Sequence, residues 1–186
     1  MIELSWEFMN LLDIKIETKR LLLKPVTLNY VEEFFKEFTW DITKYMYPKP
    51  AERIEETYSL VEESINNLKN GTKLSMIILD KNNDEFIGRI GIYDFNTLEP
   101  GLWIWIKKSS HNNSFGLEAM TGLIEWAHKN IKFNHLVYPV DKRNIASRRL
   151  PEKNNGKIMK EEKSLGEAGN ELDEYEYWIY SKNKKD

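Results

Sequence analysis

Two short segments of this chain carry the residue types from which a reaction can be built. The first, residues 101–119 (GLWIWIKKSSHNNSFGLEA), runs from a buried-looking strand through a loop of small polar residues straight into a helix start. The first N–H groups of a helix have no intrahelical acceptor and lie at the positive end of its dipole, so such a corner offers aimed donors to phosphate oxygens. Asn112, Asn113, Ser114 and Gly116 all tolerate the tight or left-handed turns that it needs. The plain alternative is an ordinary strand-to-helix corner without a ligand. The second segment, residues 141–156 (DKRNIASRRLPEKNNG), opens a helix at Asn144 and sets Ser147 three residues on, in its first turn. Asn144 is a good capping residue, and capping alone accounts for it locally. His111, His128 and His135 show no ligand spacing, so no metal is assigned. The absence of cysteine excludes disulfides, thiolate metal sites and any cysteinyl intermediate.

Hydrophobic periodicity predicts the elements that must hold these segments. Residues 14–24 read as one strand, with Leu21 and Leu23 on one side and Pro25 ending its ladder. A helix follows, with Asn29 and Glu32 at capping-box spacing and Val31, Phe34, Phe35 and Phe38 on one stripe. After an aromatic connection, residues 40–50, a second helix carries Ile54, Tyr58, Val61, Ile65 and Leu68 and stops at Asn70-Gly71. Strands are expected at 73–79, 85–93 and 102–106, a third helix at 115–129, a strand at 135–140 and a fourth helix from Ile145. Two strands, 156–161 and 175–180, complete the chain around a polar loop at 163–174. Pro139 marks either a strand end or a place where pairing is lost. Pro151 falls inside the fourth helix, where it cannot donate to the Ser147 carbonyl. The order is that of an α+β protein on one largely antiparallel sheet.

Composition narrows the classes further. The 186 residues fit a single domain, residues 1–186, and 41% hydrophobic with 31% charged residues describe an ordinary globule. Thirty acidic against 27 basic side chains give a net charge of −3, which lacks the basic footprint that nucleic acid requires. No apolar run approaches the length of a membrane span, and the start of the chain, with Glu3 and Glu7, lacks a basic signal-peptide region. The expected location is cytoplasmic, without membrane partners. The first dozen residues, among them Trp6 and Phe8, show no period, and residues 161–163 and 182–186 read as solvated charge.

At this point several weak motifs, in order and at the right spacing, carry a resemblance. Glu17-Thr18-Lys19-Arg20-Leu21 before Leu23 is similar to an opening T-x-R-L-x-L-R strand, and residues 99–106 are similar to an E-x-G-Y-W-I strand. Asn144-Ile145-Ala146-Ser147-Arg148-Arg149 is close to N-x-x-S-x-R, and Glu152-Lys153 with Gly156 resembles an E-K-x-G-F ending. The chain resembles the GNAT-superfamily N-acetyltransferases of the ribosomal-protein, RimJ/RimL-like, subgroup. The resemblance departs at the pyrophosphate loop, usually R/Q-x-x-G-x-G/A, where Asn112 and Ser114 stand in place of two glycines. It also lacks the helix-four tyrosine that some members use as general acid.

The resemblance implies a twisted, mostly antiparallel sheet of about seven strands with about four helices, splayed in the middle. It implies direct transfer of an acetyl group from acetyl-CoA, as co-substrate, to a primary amine of a protein N-terminus or a small molecule, through a ternary complex. Within it, Trp105, Ile106 and Lys107 offer backbone amides to the thioester, residues Asn112, Asn113, Ser114, Phe115 and Gly116 hold the diphosphate, and Asn144 and Ser147 hold the pantetheine arm. Ser147 is the implied acid and Glu99 the implied base, with a plain surface carboxylate as the alternative for Glu99. The acceptor would meet Trp40, Tyr45, Tyr58 and Trp103, with Asp41 and Tyr47 nearby, although most such aromatics belong to cores. The chain would act as a monomer or homodimer. The competing function is a non-catalytic acyl-CoA-binding or regulatory module on the same fold.

Overall fold

The computed structural model describes residues 9–181; the expectations for Glu3, Trp6, Glu7, Phe8 and residues 182–186 lie outside the described residues. An eight-stranded sheet holds, in chain order, β1 (Ile16–Glu17), β2 (Leu21–Pro25), β3 (Leu74–Asp80), β4 (Phe86–Tyr93), β5 (Gly101–Ile106), β6 (His135–Asp141), β7 (Lys157–Leu165) and β8 (Glu171–Tyr180). Its spatial order is β1-β2-β3-β4-β5-β6-β8-β7. Five helices accompany it: α1 (Val31–Glu37), α2 (Trp40–Thr43), α3 (Ile54–Lys69), α4 (Phe115–Asn130) and α5 (Ile145–Lys153).

Every neighbouring pair is antiparallel except β5 and β6, which run parallel and share one register pair, Gly101 with Val137. Beyond that rung the two strands part. Val137 N–H donates to the Pro100 carbonyl at 2.9 Å. Alternation along a strand turns the nitrogen of Pro139 to the same side, so the missing N–H of proline faces the parting and removes no ladder bond. Pro139 keeps its register with Glu176 of β8 on the other side. Of its two sequence readings, lost pairing is the one realised.

Three expectations need correction. Residues 14–24 form a hairpin instead of one strand: Ile16 pairs with Leu23, and Thr18 N–H closes a tight turn on the Leu21 carbonyl at 2.9 Å. This supplies the eighth strand. The Asn29/Glu32 capping box is not formed, because a 3-10 turn at Leu28–Tyr30 precedes α1 and puts Tyr30 at its cap. Most of the polar segment 163–174 continues β7 and β8, leaving only residues 166–170 as the turn. The Asn70-Gly71 stop is realised: Gly71 has φ 67°, and Thr72 N–H reaches the Asn67 carbonyl at 3.1 Å.

The core lies on both faces of the sheet. Trp105 packs against Phe34 of α1, Phe38 just past its end and Phe86 of β4, with ring centroids 5.0 to 5.7 Å apart. Ile106, the next residue and so on the opposite face, lies under the start of α4 and Leu150 of α5. Ala119, Met120, Leu123, Ile124 and Ala127 form the buried stripe of α4. Among the described residues no helix is long and apolar enough to cross a membrane.

Candidate active site

The parting of β5 from β6 leaves backbone groups unpaired inside the sheet, and both chemistry-bearing segments border it. On the β5 side, Lys107 N–H is taken by the Ile87 carbonyl of β4 at 2.9 Å. Two-residue alternation turns the Trp105 amide the same way, so of the three expected amides only that of Ile106 faces the opening. The side chains of Trp105 and Lys107 are also engaged elsewhere, in the aromatic core and in an ion pair with Glu85.

The loop from β5 to α4 is tied to itself. The Ile106 carbonyl lies 2.8 Å from His111 Nε2, and Asn113 Nδ2 donates to the carbonyls of His111 and Ser110 at 3.1 and 3.4 Å. Asn112 and Ser114, at the two positions where glycines are usual, adopt φ of 63° and 59°. The left-handed turn that glycine normally supplies is therefore kept, and Ser114 stands at the cap of α4 without a side-chain capping bond. A Cβ on Gly116 would meet Ile106 Cγ1 at 3.5 Å, ordinary contact, so the backbone there lies close against β5. Because Ser114 forgoes capping and occupies a conformation costly for a side chain, Ser114→Gly should gain about 1 kcal/mol, or ~2–4 °C in melting temperature. A thermal melt that falls instead would mean that the hydroxyl holds the loop in another way.

A carboxylate fixes the first turn of α4. Glu118 accepts from Thr18 Oγ1 at 2.6 Å, from Arg20 N–H at 2.6 Å and from Arg20 Nε at 2.7 Å. Burial pushes its carboxyl up, but these bonds outweigh that and leave it below the ordinary glutamate range. Arg20 then donates to the Asn113 carbonyl at 3.0 Å and lies over the Phe115 ring, 4.5 Å from its centroid. The β1–β2 turn thus grips the loop and the helix together.

On the β6 side, Asn144 caps α5, its Oδ1 accepting from Ser147 N–H at 3.2 Å, which leaves the side-chain NH2 for other use. Ser147 Oγ lies 2.7 Å from the hydroxyl of Tyr138, a residue that the sequence motifs did not single out. The turn between β6 and α5 is set by Asp141, fully buried, which accepts a two-pronged contact from Arg143 at 2.8 and 2.7 Å and the backbone N–H groups of Arg143 and Asp173. The helix runs through Pro151 to Lys153 and is capped at Asn154; Asn155, φ 62°, then turns the chain, with Gly156 N–H on the Pro151 carbonyl at 2.8 Å. Glu152 of the E-K pair accepts from the Tyr177 hydroxyl at 2.8 Å.

The remaining expected residues are dispersed. Glu99 is exposed in the loop ahead of β5, two residues before the strand begins, with Pro100 between it and the β5–β6 rung. Trp40 and Tyr58 are exposed, Tyr45 lies 5.2 Å from the Arg143 guanidinium, and Trp103 is flanked by Lys73 and Arg89 at 5.7 and 5.5 Å. Among the described residues no ring contact joins two of these four aromatics. Asp41, beside Trp40, pairs with Lys108 at 3.5 Å, and the Tyr47 carbonyl accepts from Glu167 N–H at 2.8 Å, so the α2 segment bridges from the β5–α4 loop to the β7–β8 turn.

A sheet interrupted at its only parallel pair, with the crossover helix starting at the interruption, is the architecture of the GNAT acyltransferases. The family model for the acetyltransferase (GNAT) domain matches residues 20–157, and the chain belongs to that family, whose members are acetyl-CoA-dependent N-acetyltransferases. Solved structures agree on the fold. Mycobacterium smegmatis RimJ, in complex with CoA-disulfide, shares 13% identity at a TM-score of 0.81, over 93% of this chain and 90% of that one. RimL, a ribosomal alpha-N-protein acetyltransferase solved with coenzyme A, shares 15% at 0.80, over 92% and 100%. Spermidine N-acetyltransferase from Vibrio cholerae, solved with CoA and spermine, shares 13% at 0.76, over 87% and 96%. Among curated proteins none matches the sequence.

Proposed function

We propose that this chain moves the acetyl group of acetyl-CoA directly to a primary amine, of a protein N-terminus or a small molecule, within a ternary complex in the cytoplasm. The observation that carries the reading is the retained left-handed backbone at Asn112 and Ser114 beside the parted strands, which keeps the amides at the mouth of α4 available to a diphosphate. The opening between β5 and β6 receives the pantetheine arm, with the Ile106 amide toward the thioester carbonyl and the Asn144 NH2 along the arm. A chain without cysteine takes the direct route, in which the amine itself attacks.

Ser147 is the acid at the leaving sulfur, and Glu99 the base that takes the amine's proton through water. Trp40 and Tyr45 on the α2 segment, with Tyr58 and Trp103, border the side from which the acceptor approaches. Thiol release measured with a panel of primary amines tests the whole reading. Turnover with at least one amine, reduced ~10–100-fold by Ser147→Ala at unchanged coenzyme affinity, is the expected result. Coenzyme binding without turnover on any amine assigns the non-catalytic module instead.

A further inference from the structure

We propose that Tyr138 is a positioning residue for the transfer: its hydroxyl donates to Ser147 Oγ and so turns the serine's own hydrogen into the opening between β5 and β6. The proposal rests on the reading of Ser147 as the acid.

The direction of that hydrogen bond follows from burial. Tyr138 is 4% exposed, and Ser147 Oγ is the one partner of its hydroxyl among the described residues, at 2.7 Å. Were the serine to donate, the phenolic O–H would be left a buried donor without an acceptor, which folded proteins avoid. With the phenol as donor both of its requirements are met. The serine, half-buried at the first turn of α5, then keeps one hydrogen free.

Place in the fold says where that hydrogen goes. Val137 makes the last pairing between β6 and β5, and Tyr138 is the next residue, at the apex where the strands part. Its ring reaches under the start of α5, whose backbone is fixed there by the Asn144 cap. Burial pushes the phenol up to about 12, so it stays protonated at neutral pH and serves as a permanent donor.

The proton account closes without ionising it. The amine nitrogen forms a C–N bond at the thioester carbonyl carbon, whose C=O π pair moves to oxygen and returns on collapse, and the nitrogen's surplus proton passes through water to Glu99. On collapse the C–S bond breaks, and its electron pair goes to sulfur, which takes the Ser147 proton. Ser147 regains one from water while accepting throughout from Tyr138.

The test is a cycle of Tyr138→Phe, Ser147→Ala and the double variant, each assayed for kcat, KM of the amine and coenzyme A affinity. Tyr138→Phe should lower kcat about 10-fold with KM and coenzyme affinity unchanged. In the Ser147→Ala background it should do nothing more, since its route runs through the missing hydroxyl. Ser147→Thr, which keeps a hydroxyl, should retain most of the rate. A readout independent of turnover is the Tyr138 hydroxyl proton followed by NMR: donated to Ser147 Oγ it should exchange slowly with solvent, and Ser147→Ala should shift its resonance and speed that exchange. Losses that multiply in the double variant, or a Tyr138→Phe effect confined to KM, coenzyme affinity or melting temperature, would overturn the proposal. If Ser147→Ala turns over as fast as the wild type, the acid assignment fails first and this proposal with it. If Ser147→Ala is slow and Tyr138→Phe is not, only this proposal falls.

Discussion

Replacing Asp141 with alanine is expected to cost about 3 kcal/mol of folding stability and to lower the melting temperature by ~6–12 °C. The carboxylate is fully buried where β6 ends, and four donors converge on it: both prongs of Arg143, the Arg143 amide and the Asp173 amide. Without it the two amides lose their acceptor inside the protein, while the guanidinium, more than half exposed, finds water. The turn that sets Asn144 and Ser147 against β6 loosens, so the rate should fall as well. Burial pushes the Asp141 carboxyl up, and the bonds from Arg143 and Asp173 outweigh it, holding the group below its usual value. A carboxyl depressed in this way contributes stability that is complete above the unfolded pKa, near 4, and lost as pH falls through the folded value. Melts between neutral pH and about pH 3 should therefore show the wild type losing stability faster than Asp141→Asn. Parallel curves would show that the charge at this position carries no folding energy.

The second large effect is expected at Glu118. Glu118→Ala should weaken coenzyme A binding ~10-fold or more and destabilise the fold by about 2 kcal/mol. Its carboxylate supplies the hydrogen bonds by which the β1–β2 turn holds α4, and Arg20 passes the grip on to the Asn113 carbonyl. Released, the loop keeps its unfavourable left-handed residues with one constraint fewer, and the amides at the helix mouth lose their common aim. Titration calorimetry with coenzyme A, beside a thermal melt, separates the two consequences. A lower melting temperature at unchanged affinity would reduce the clamp to a purely structural role. Glu118→Gln should fall between, since the amide oxygen still accepts from Thr18 and the Arg20 backbone but no longer pairs with the guanidinium.

Periodicity carried the long elements well, because α3, α4 and the β3–β5 meander each repeat a burial pattern over many residues, as in the stripe from Ala119 to Ala127. It failed where a short turn hides in a uniform run. Nothing in IKIETKRLLLK distinguishes one strand from a hairpin except Thr18 closing on Leu21, a contact between residues three apart. The same turn explains why the T-x-R-L motif matters, for Thr18 and Arg20 meet Glu118 some hundred residues away, a pairing that no local pattern contains. The positive φ of Asn112 and Ser114 was legible from residue type and motif position together. Tyr138 was not: in sequence it is one aromatic in an alternating strand, and only the fold lays its hydroxyl against Ser147. The sequence suggests Trp105 and Lys107 as ligand-facing because spacing cannot say which edge of a strand a given amide presents, whereas the Ile87 bond does.

The single Gly101–Val137 rung has one more consequence. The proposed diphosphate mouth follows directly on β5, and the Tyr138–Ser147 hydroxyl pair belongs to the half that begins with β6. Between β2 and β3, β3 and β4, β4 and β5, or β6 and β8, five to seven register pairs lock the neighbours together; here the halves are stitched mainly by side-chain packing and by whatever lies between them. On the proposed reading, a long, thin co-substrate stretched from one jaw to the other would be a structural strut as well as a reagent.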